Sequence, residues 1–281
     1  MSSYSLKFDM QQPARPIIKW AGGKRQLLPE LLKRMPLSYN KYFEPFIGGG
    51  ALFFELSPSN AYISDINPEL VNLYRVVRDN VEELIADLSS HENSLEYFTQ
   101  IRAIDRDSTY STLCKVKRAS RFIYLNKTCF NGLYRVNKKG YFNVPFGQYS
   151  NPKFLDRDAL YAASSSLQNV QIECASFENI LNYVSTGDFV YLDPPYIPLS
   201  TTASFTSYAK EDFGMNEQIA LKELCDKLNA LGVNFMLSNS DTEQSNELYK
   251  NYNIEKLYAS RFINSKSSGR GKISEIVVRN Y

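Results

Sequence analysis

Histidine is almost missing from this sequence: His91 is the only one in 281 residues. A catalytic metal held by two or three imidazoles is thereby excluded. Cysteine is scarce as well. Cys114, Cys129, Cys174 and Cys225 lie far apart and form no CxxC pair, which argues against a disulfide framework and against a zinc knuckle. No run approaches the ~20 apolar residues that cross a bilayer. Residues 1–12 are polar and lack the apolar core of a secretory signal. Neither GxGxxG nor the GxxxxGK(S/T) phosphate loop occurs, and no internal repeat is visible. These absences predict a soluble, cytoplasmic protein of a reducing compartment, with no membrane partner and with chemistry that needs no metal.

What is present is a chain with 43% hydrophobic and 22% charged residues. That is enough apolar material for one large domain, or one domain carrying an insertion. The net charge of +2 says little, but its distribution says more. Residues 108–155 contain no Asp or Glu, while Lys115, Lys117, Arg118, Arg121, Lys127, Arg135, Lys138, Lys139 and Lys153 all fall there. Aromatic residues such as Tyr110, Phe122, Phe130, Tyr134 and Tyr149 are interleaved with them. A basic, aromatic-rich segment suits contact with a phosphate backbone. The plain alternative is a solvated basic face over an aromatic core. His91, in the polar stretch HENSLEYF, is expected to be exposed.

Local patterns order the chain. Residues 41–47 (KYFEPFI) read as a strand running into Gly48-Gly49-Gly50, with a helix starting at Ala51. Residues 60–66 read as a second strand. Asn67-Pro68-Glu69 then combines a capping residue, a first-turn proline and an acid. Apolar spacing of three to four predicts one long helix from there to about Leu88. Residues 90–128 read as mostly helical, and 129–146 as a hairpin or ordered loop with turns at Asn131-Gly132 and Lys139-Gly140. Strand and helix alternate again after about 155, with a buried strand at 189–192, a helix at 216–231 closed by Gly232, a strand at 233–237, and closing strands at 254–259 and 273–278. Such alternation predicts an α/β fold with a mostly parallel, doubly wound sheet. Residues 1–67 and 159–281 would form it, with 68–158 inserted as a mostly helical unit.

Three constellations bear chemistry. In Glu44-Pro45-Phe46-Ile47-Gly48-Gly49-Gly50, a strand enters glycines that let a ligand approach the backbone. Asp65 follows 15 residues after Gly50 at the next strand end, where an acid can hold ribose hydroxyls. A tight turn with a capping Asp would look the same. Asp193-Pro194-Pro195-Tyr196 follows a buried strand, so it faces the cleft beyond the carboxyl ends of the sheet. Its prolines stiffen the loop and can aim the Asp193 carboxylate and the Pro194 carbonyl at one amino group, with Tyr196 as a stacking face. Here the alternative is a capped turn. In residues 17–25 (IIKWAGGKR) two glycines sit between Trp20 and the cations Lys24 and Arg25, as in a ligand-touching loop. A lone Trp is otherwise most often a core residue.

KWAGGKRQLL, FEPFIGGGALFFEL, SDINPEL, FNGLYR with FNVPFG, and DPPY occur here in that order. The combination resembles the Dam-type (D12 class, alpha group) DNA adenine-N6 methyltransferases, especially the GATC-modifying members of restriction systems and of phage and bacteria. The likeness runs from about residue 16 to the end, with no departure in any motif. It implies a Rossmann-like S-adenosylmethionine methyltransferase sheet with an inserted target-recognition unit. It also implies S-adenosylmethionine as donor and adenine of duplex DNA, flipped out of the stack, as acceptor. By the same match Trp20, Lys24, Asp65 and Asp193 contact the cofactor, with Glu44, Pro45, Phe46 and Gly48 beneath it. Asp193, Pro194 and Tyr196 are the catalytic set. Arg135 reads a guanine, Asn131 and Leu133 touch or wedge the base pairs, Pro145 makes an apolar contact, and Lys19 meets the first base pair. Restriction-system relatives further imply a cognate endonuclease acting on the same site without a stable complex.

Other readings remain open to the residues themselves: methylation of RNA adenine or of cytosine N4, and a DNA-binding regulator that keeps the fold without the activity. The polar loop 198–212, next to DPPY, either covers a flipped base or is an inert surface loop.

Overall fold

The computed structural model describes residues 13–197, 213–260 and 272–281. The loop 198–212 and residues 1–12 lie outside the described residues. Seven strands build one sheet: β1 (Tyr42–Glu44), β2 (Ala61–Asp65), β3 (Val170–Cys174), β4 (Phe189–Leu192), β5 (Asn234–Ser240), β6 (Asn253–Ser260) and β7 (Lys272–Arg279), in the order β3-β2-β1-β4-β5-β7-β6. The first five strands pair in parallel, and β7 runs antiparallel between β5 and β6. The α/β class and Rossmann-like sheet expected from the sequence are therefore borne out. Strand order reverses between β1 and β4, the switch point beyond which open α/β sheets bind ligands.

The helices are α1 (Leu28–Leu32), α2 (Ala51–Leu56), α3 (Pro68–Asp79), α4 (Val81–Leu88), α5 (Leu95–Ala103), α6 (Lys115–Thr128), α7 (Arg157–Leu167), α8 (Met215–Ala230) and α9 (Glu243–Leu248). Neighbouring strand residues serve opposite cores. Tyr42, Ile63, Tyr191 and Met236 pack on one face with α3, α6 and α7, while Phe43, Tyr62, Val190 and Phe235 pack on the other with α8. Side chains alternate along a strand, and here both faces are covered, so the strands read as unbroken apolar runs. The helices of 68–158 belong to the first of these cores. Among the described residues no helix is long and apolar enough to cross a membrane.

Two expectations about the helical part need correction. The single helix predicted to run to Leu88 is broken at Asn80, whose backbone leaves the helical region (φ −139°, ψ 41°). The apolar spacing continues across the break because α3 and α4 address the same core. His91 is not exposed: 6% of its side chain meets solvent. Its ring stacks on Tyr124 at 4.6 Å and bonds the Tyr97 and Ser120 hydroxyls at 2.9 and 2.8 Å. With both nitrogens partnered, burial leaves no orphaned polar atom. Burial also holds its imidazole below the ordinary value.

The basic segment divides. Arg118 pairs with Glu69, and Arg121 is buried against Asp105 at 2.8 Å. Arg121 also donates to the Ile101 and Arg102 carbonyls at the end of α5, and Asp105 accepts the Phe142 amide at 2.7 Å. These two cations are internal struts and are withdrawn from any phosphate surface. Lys115, Lys117, Arg135, Lys138 and Lys139 remain exposed. Residues 129–146 form an ordered hairpin loop, closed by antiparallel bridges between Cys129 and Phe146 and between Val136 and Phe142.

The strut has a measurable consequence. Arg121→Ala leaves the buried Asp105 only the exposed Arg106 guanidinium, at 2.9 Å, and should cost up to about 3 kcal/mol of stability, read as a lower urea midpoint. Lys138→Ala, on the exposed face, should stay within about 0.5 kcal/mol.

Candidate active site

A cavity of about 430 Å³ opens beyond the carboxyl ends of β2, β1 and β4. Its volume lies in the range of small-molecule sites. Trp20, Lys24, Glu44, Pro45, Phe46, Gly48, Asp65, Asp193, Pro194 and Tyr196 all line it. The residues expected from four separate stretches of sequence thus meet in one place.

The turn after β1 needs its glycines. Gly48 and Gly50 sit at φ +45° and +67°, a region that favours glycine, and a Cβ on Gly48 would lie 2.7 Å from the Trp20 indole. The indole therefore packs directly on backbone at the cavity wall, with its ring stacked on the core residue Phe122 at 6.4 Å. The Gly48 amide donates to Asp65 at 3.3 Å, and the Asn67 amide donates to its other oxygen at 2.9 Å. Asn67 in turn caps α3 through the amides of Glu69 and Leu70. Burial still pushes the Asp65 carboxyl up to about 6, against those two donors. Glu44, the last residue of β1, accepts the Tyr42 hydroxyl at 2.6 Å. Burial raises it to about 8, and neighbouring Asp193 adds to the rise.

Asp193 meets the Lys24 ammonium at 2.8 Å. Burial raises its carboxyl, and Lys24 opposes that rise. The same ammonium donates to the Gly22 carbonyl at 2.5 Å and lies 4.6 Å from the centre of the Tyr196 ring. The Tyr196 hydroxyl donates to Glu275 at 2.7 Å.

Three buried polar side chains that the sequence reading missed hold this loop. Gln218 on α8 donates to the Pro195 carbonyl at 2.9 Å, and Asn239 on β5 donates to Gln218 at 3.1 Å. Asn239 also accepts the Ile197 amide, and the Ser240 hydroxyl donates to the Ile197 carbonyl. The Pro195 carbonyl is thereby turned toward α8. Among the described residues nothing hydrogen-bonds the Pro194 carbonyl. The available signal was the polar run Ser238-Asn239-Ser240 ending an apolar strand at the ligand edge of the sheet.

Lys19, Asn131, Leu133, Arg135 and Pro145 do not line the cavity; they gather around the hairpin. Asn131, Arg135 and Pro145 are exposed and Leu133 is half-buried. Arg135 donates to Asn143 at 2.9 Å, and the Pro145 carbonyl accepts the Phe130 amide. The Lys19 side chain packs against Gly132, where a Cβ would meet it at 2.3 Å. Asn126, fully buried, bonds both the amide and the carbonyl of Lys19 at 2.8 Å and the Gly132 carbonyl at 3.1 Å. One loop, 19–24, therefore reaches from the hairpin into the cavity.

Residues 20–263 match the profile of the D12 class N6 adenine-specific DNA methyltransferases. The chain belongs to that family. It is 51% identical over 271 residues to a type II methyltransferase of Lactococcus lactis subsp. cremoris, M1.LlaDCHI, covering 95% of each chain. It is 44% identical to a type II methyltransferase of Methanocaldococcus jannaschii, M.MjaIII, covering 95% of this chain and 99% of the relative. It is 34% identical to a DNA adenine methylase of Vibrio cholerae, covering 94% and 95%. The protein is thus an adenine-specific DNA methyltransferase acting on double-stranded DNA. Membership implies S-adenosylmethionine as the methyl donor. The cavity suits such a donor: it is large enough, its turn is bare backbone beside an indole, and its acids favour a positively charged guest.

The buried Glu44 makes unliganded stability depend on pH. Its folded value of about 8 lies above the ordinary 4.5. Across that window the folded chain keeps a proton that the unfolded chain has released, so stability falls as pH rises. Glu44→Gln should flatten the fall and stabilise the unliganded chain at about pH 8 by roughly 1 kcal/mol or more, read from thermal unfolding across that range.

Proposed function

We propose that the chain transfers the methyl group to N6 of an adenine flipped out of the duplex, within GATC, with Asp193, Pro194 and Tyr196 as the catalytic set. The carrying observation is the single cavity that joins Asp65 beyond β2 to the stiff Asp193 loop beyond β4. Trp20, Lys24, Glu44, Pro45, Phe46, Gly48, Asp65 and Asp193 hold the donor in this reading. The donor supplies a methyl already activated by a positive sulfur.

The chain's own part is positioning and electrostatics. Adenine N6 is a poor nucleophile because its lone pair is delocalised into the ring. The Asp193 carboxylate and the Pro194 carbonyl accept its two hydrogens and favour a pyramidal nitrogen with a localised lone pair. Positioning of this kind supplies up to roughly 7–11 kcal/mol in favourable cases. As the amine gains positive charge, the Asp193 carboxylate stabilises it. The amine takes over the carboxylate that Lys24 now engages at 2.8 Å. Tyr196 offers the stacking face for the base.

Unstacking costs a few kcal/mol, offset by DNA contacts. Lys19, Asn131, Leu133, Arg135 and Pro145 supply those at base level, and the exposed lysines of 115–139 supply phosphate contacts. Residues 68–158 are the target-recognition unit, and 1–67 with 159–281 the catalytic one. Arg135 reads a guanine through its O6 and N7. The type II names of two relatives support a cognate endonuclease on the same site, and a cytoplasmic location fits both partners.

Asp193→Ala should abolish labelled methyl incorporation while specific DNA binding, followed by gel shift, persists; a variant that turns over but does not bind contradicts the role. Arg135→Ala should relax discrimination at one base by about 1–3 kcal/mol, measured across single-substituted duplexes. Equal weakening on every sequence would make it a phosphate contact instead. Base-resolution mapping of N6-methyladenine in a mixed-sequence pool tests GATC.

A further inference from the structure

We propose that Glu275 is the positioning residue of the methyl-acceptor site: it holds Tyr196 by the hydroxyl so that the ring stays in place as the stacking face for the adenine. The inference rests on the reading of Tyr196 given above. Glu275 belongs to none of the sequence motifs. Topology brings it to the site. β7 is antiparallel to β5, so its early residues lie at the edge where the parallel strands end. Glu275 is paired there with Ser240, the last residue of β5, and with Leu257 of β6.

The loop after β4 crosses the end of β5, held by Asn239 and Ser240 at Ile197 and by Gln218 at Pro195. Those bonds fix backbone only; the aromatic side chain still has its own torsions. The bond from the Tyr196 hydroxyl to Glu275, 2.7 Å long, fixes the far end of the ring. A carboxylate is acceptor-only and makes a strong, charge-assisted bond to a phenol. With both ends held, one side of the ring keeps the Lys24 ammonium 4.6 Å from its centre. That ammonium is also the partner of Asp193. Tether, ring, cation and catalytic carboxylate therefore form one chain of contacts.

The test is a double-mutant cycle on the full chain with duplex DNA and S-adenosylmethionine. Glu275→Ala and Tyr196→Phe should each lower kcat/KM by about tenfold, the scale of a misplaced binding surface. The double variant should fall no further than either single one, because both remove the same bond. Glu275→Gln retains an acceptor oxygen and should recover most of the loss. Cofactor affinity, measured separately, should stay within about twofold in all variants. A Glu275→Ala protein as active as the unaltered chain overturns the proposal. So does a further drop when Glu275→Ala is added to Tyr196→Phe. Should Glu275→Ala fold poorly, Tyr196→Phe removes the bond from the other end, and full activity there is equally fatal. An unaltered chain that methylates no adenine overturns the functional reading instead.

Discussion

Three carboxyl groups are drawn out of water around one cavity, and burial raises all three of them. The rest of the architecture answers that cost in three different ways. Asp65 receives backbone amides from the glycine turn and from the start of α3. Glu44 receives a phenol from its own strand. Asp193 receives the Lys24 ammonium from a loop more than 160 residues earlier. None of these fully restores what water supplied, so the cavity favours a guest that brings positive charge. A sulfonium donor and an amine turning cationic are both of that kind.

Holding such groups requires a scaffold that does not give way. The prolines of the Asp193 loop restrict its backbone, and two buried amides in series, Gln218 and Asn239, fix the remaining carbonyl and amide directions. Buried polar groups of this kind stabilise only when every member is satisfied, and here each bonds another. The antiparallel β7 contributes what a purely parallel sheet could not. It returns early residues to the edge where the site lies.

Two clusters, cavity and hairpin, are kept in register by another buried amide. Asn126 clasps the peptide at Lys19 and the turn at Gly132, while Arg121 and Asp105 fasten the far end of the hairpin to α5. The hairpin thus stands on a rigid base although its own pairing is limited to two bridges. Under the proposed function, that rigidity suits a surface that presents a few side chains to a duplex at fixed spacing.

Local chemistry is readable without a structure. The strand–glycine–helix turn, the Asn67-Pro68 helix start, the stiff acidic loop and the turns at Gly132 and Gly140 each follow from backbone restrictions of neighbouring residues. So the α/β class and the cavity-lining side chains were legible. What sequence could not reveal depends on contacts between distant segments. Helix periodicity is blind to a break that leaves the apolar face unchanged, hence Asn80. A polar stretch between two helices says nothing of the helix laid over it, hence the buried His91 in the connection from α4 to α5. A run of cations does not announce which of them meet carboxylates inside, hence Arg118 and Arg121. Gln218, Asn239 and Glu275 carry no motif, because their partners lie 21 to 79 residues away. Side-chain identity was written along the chain; which charges are partnered, and therefore which are free to act, was decided only when the sheet brought strand ends together.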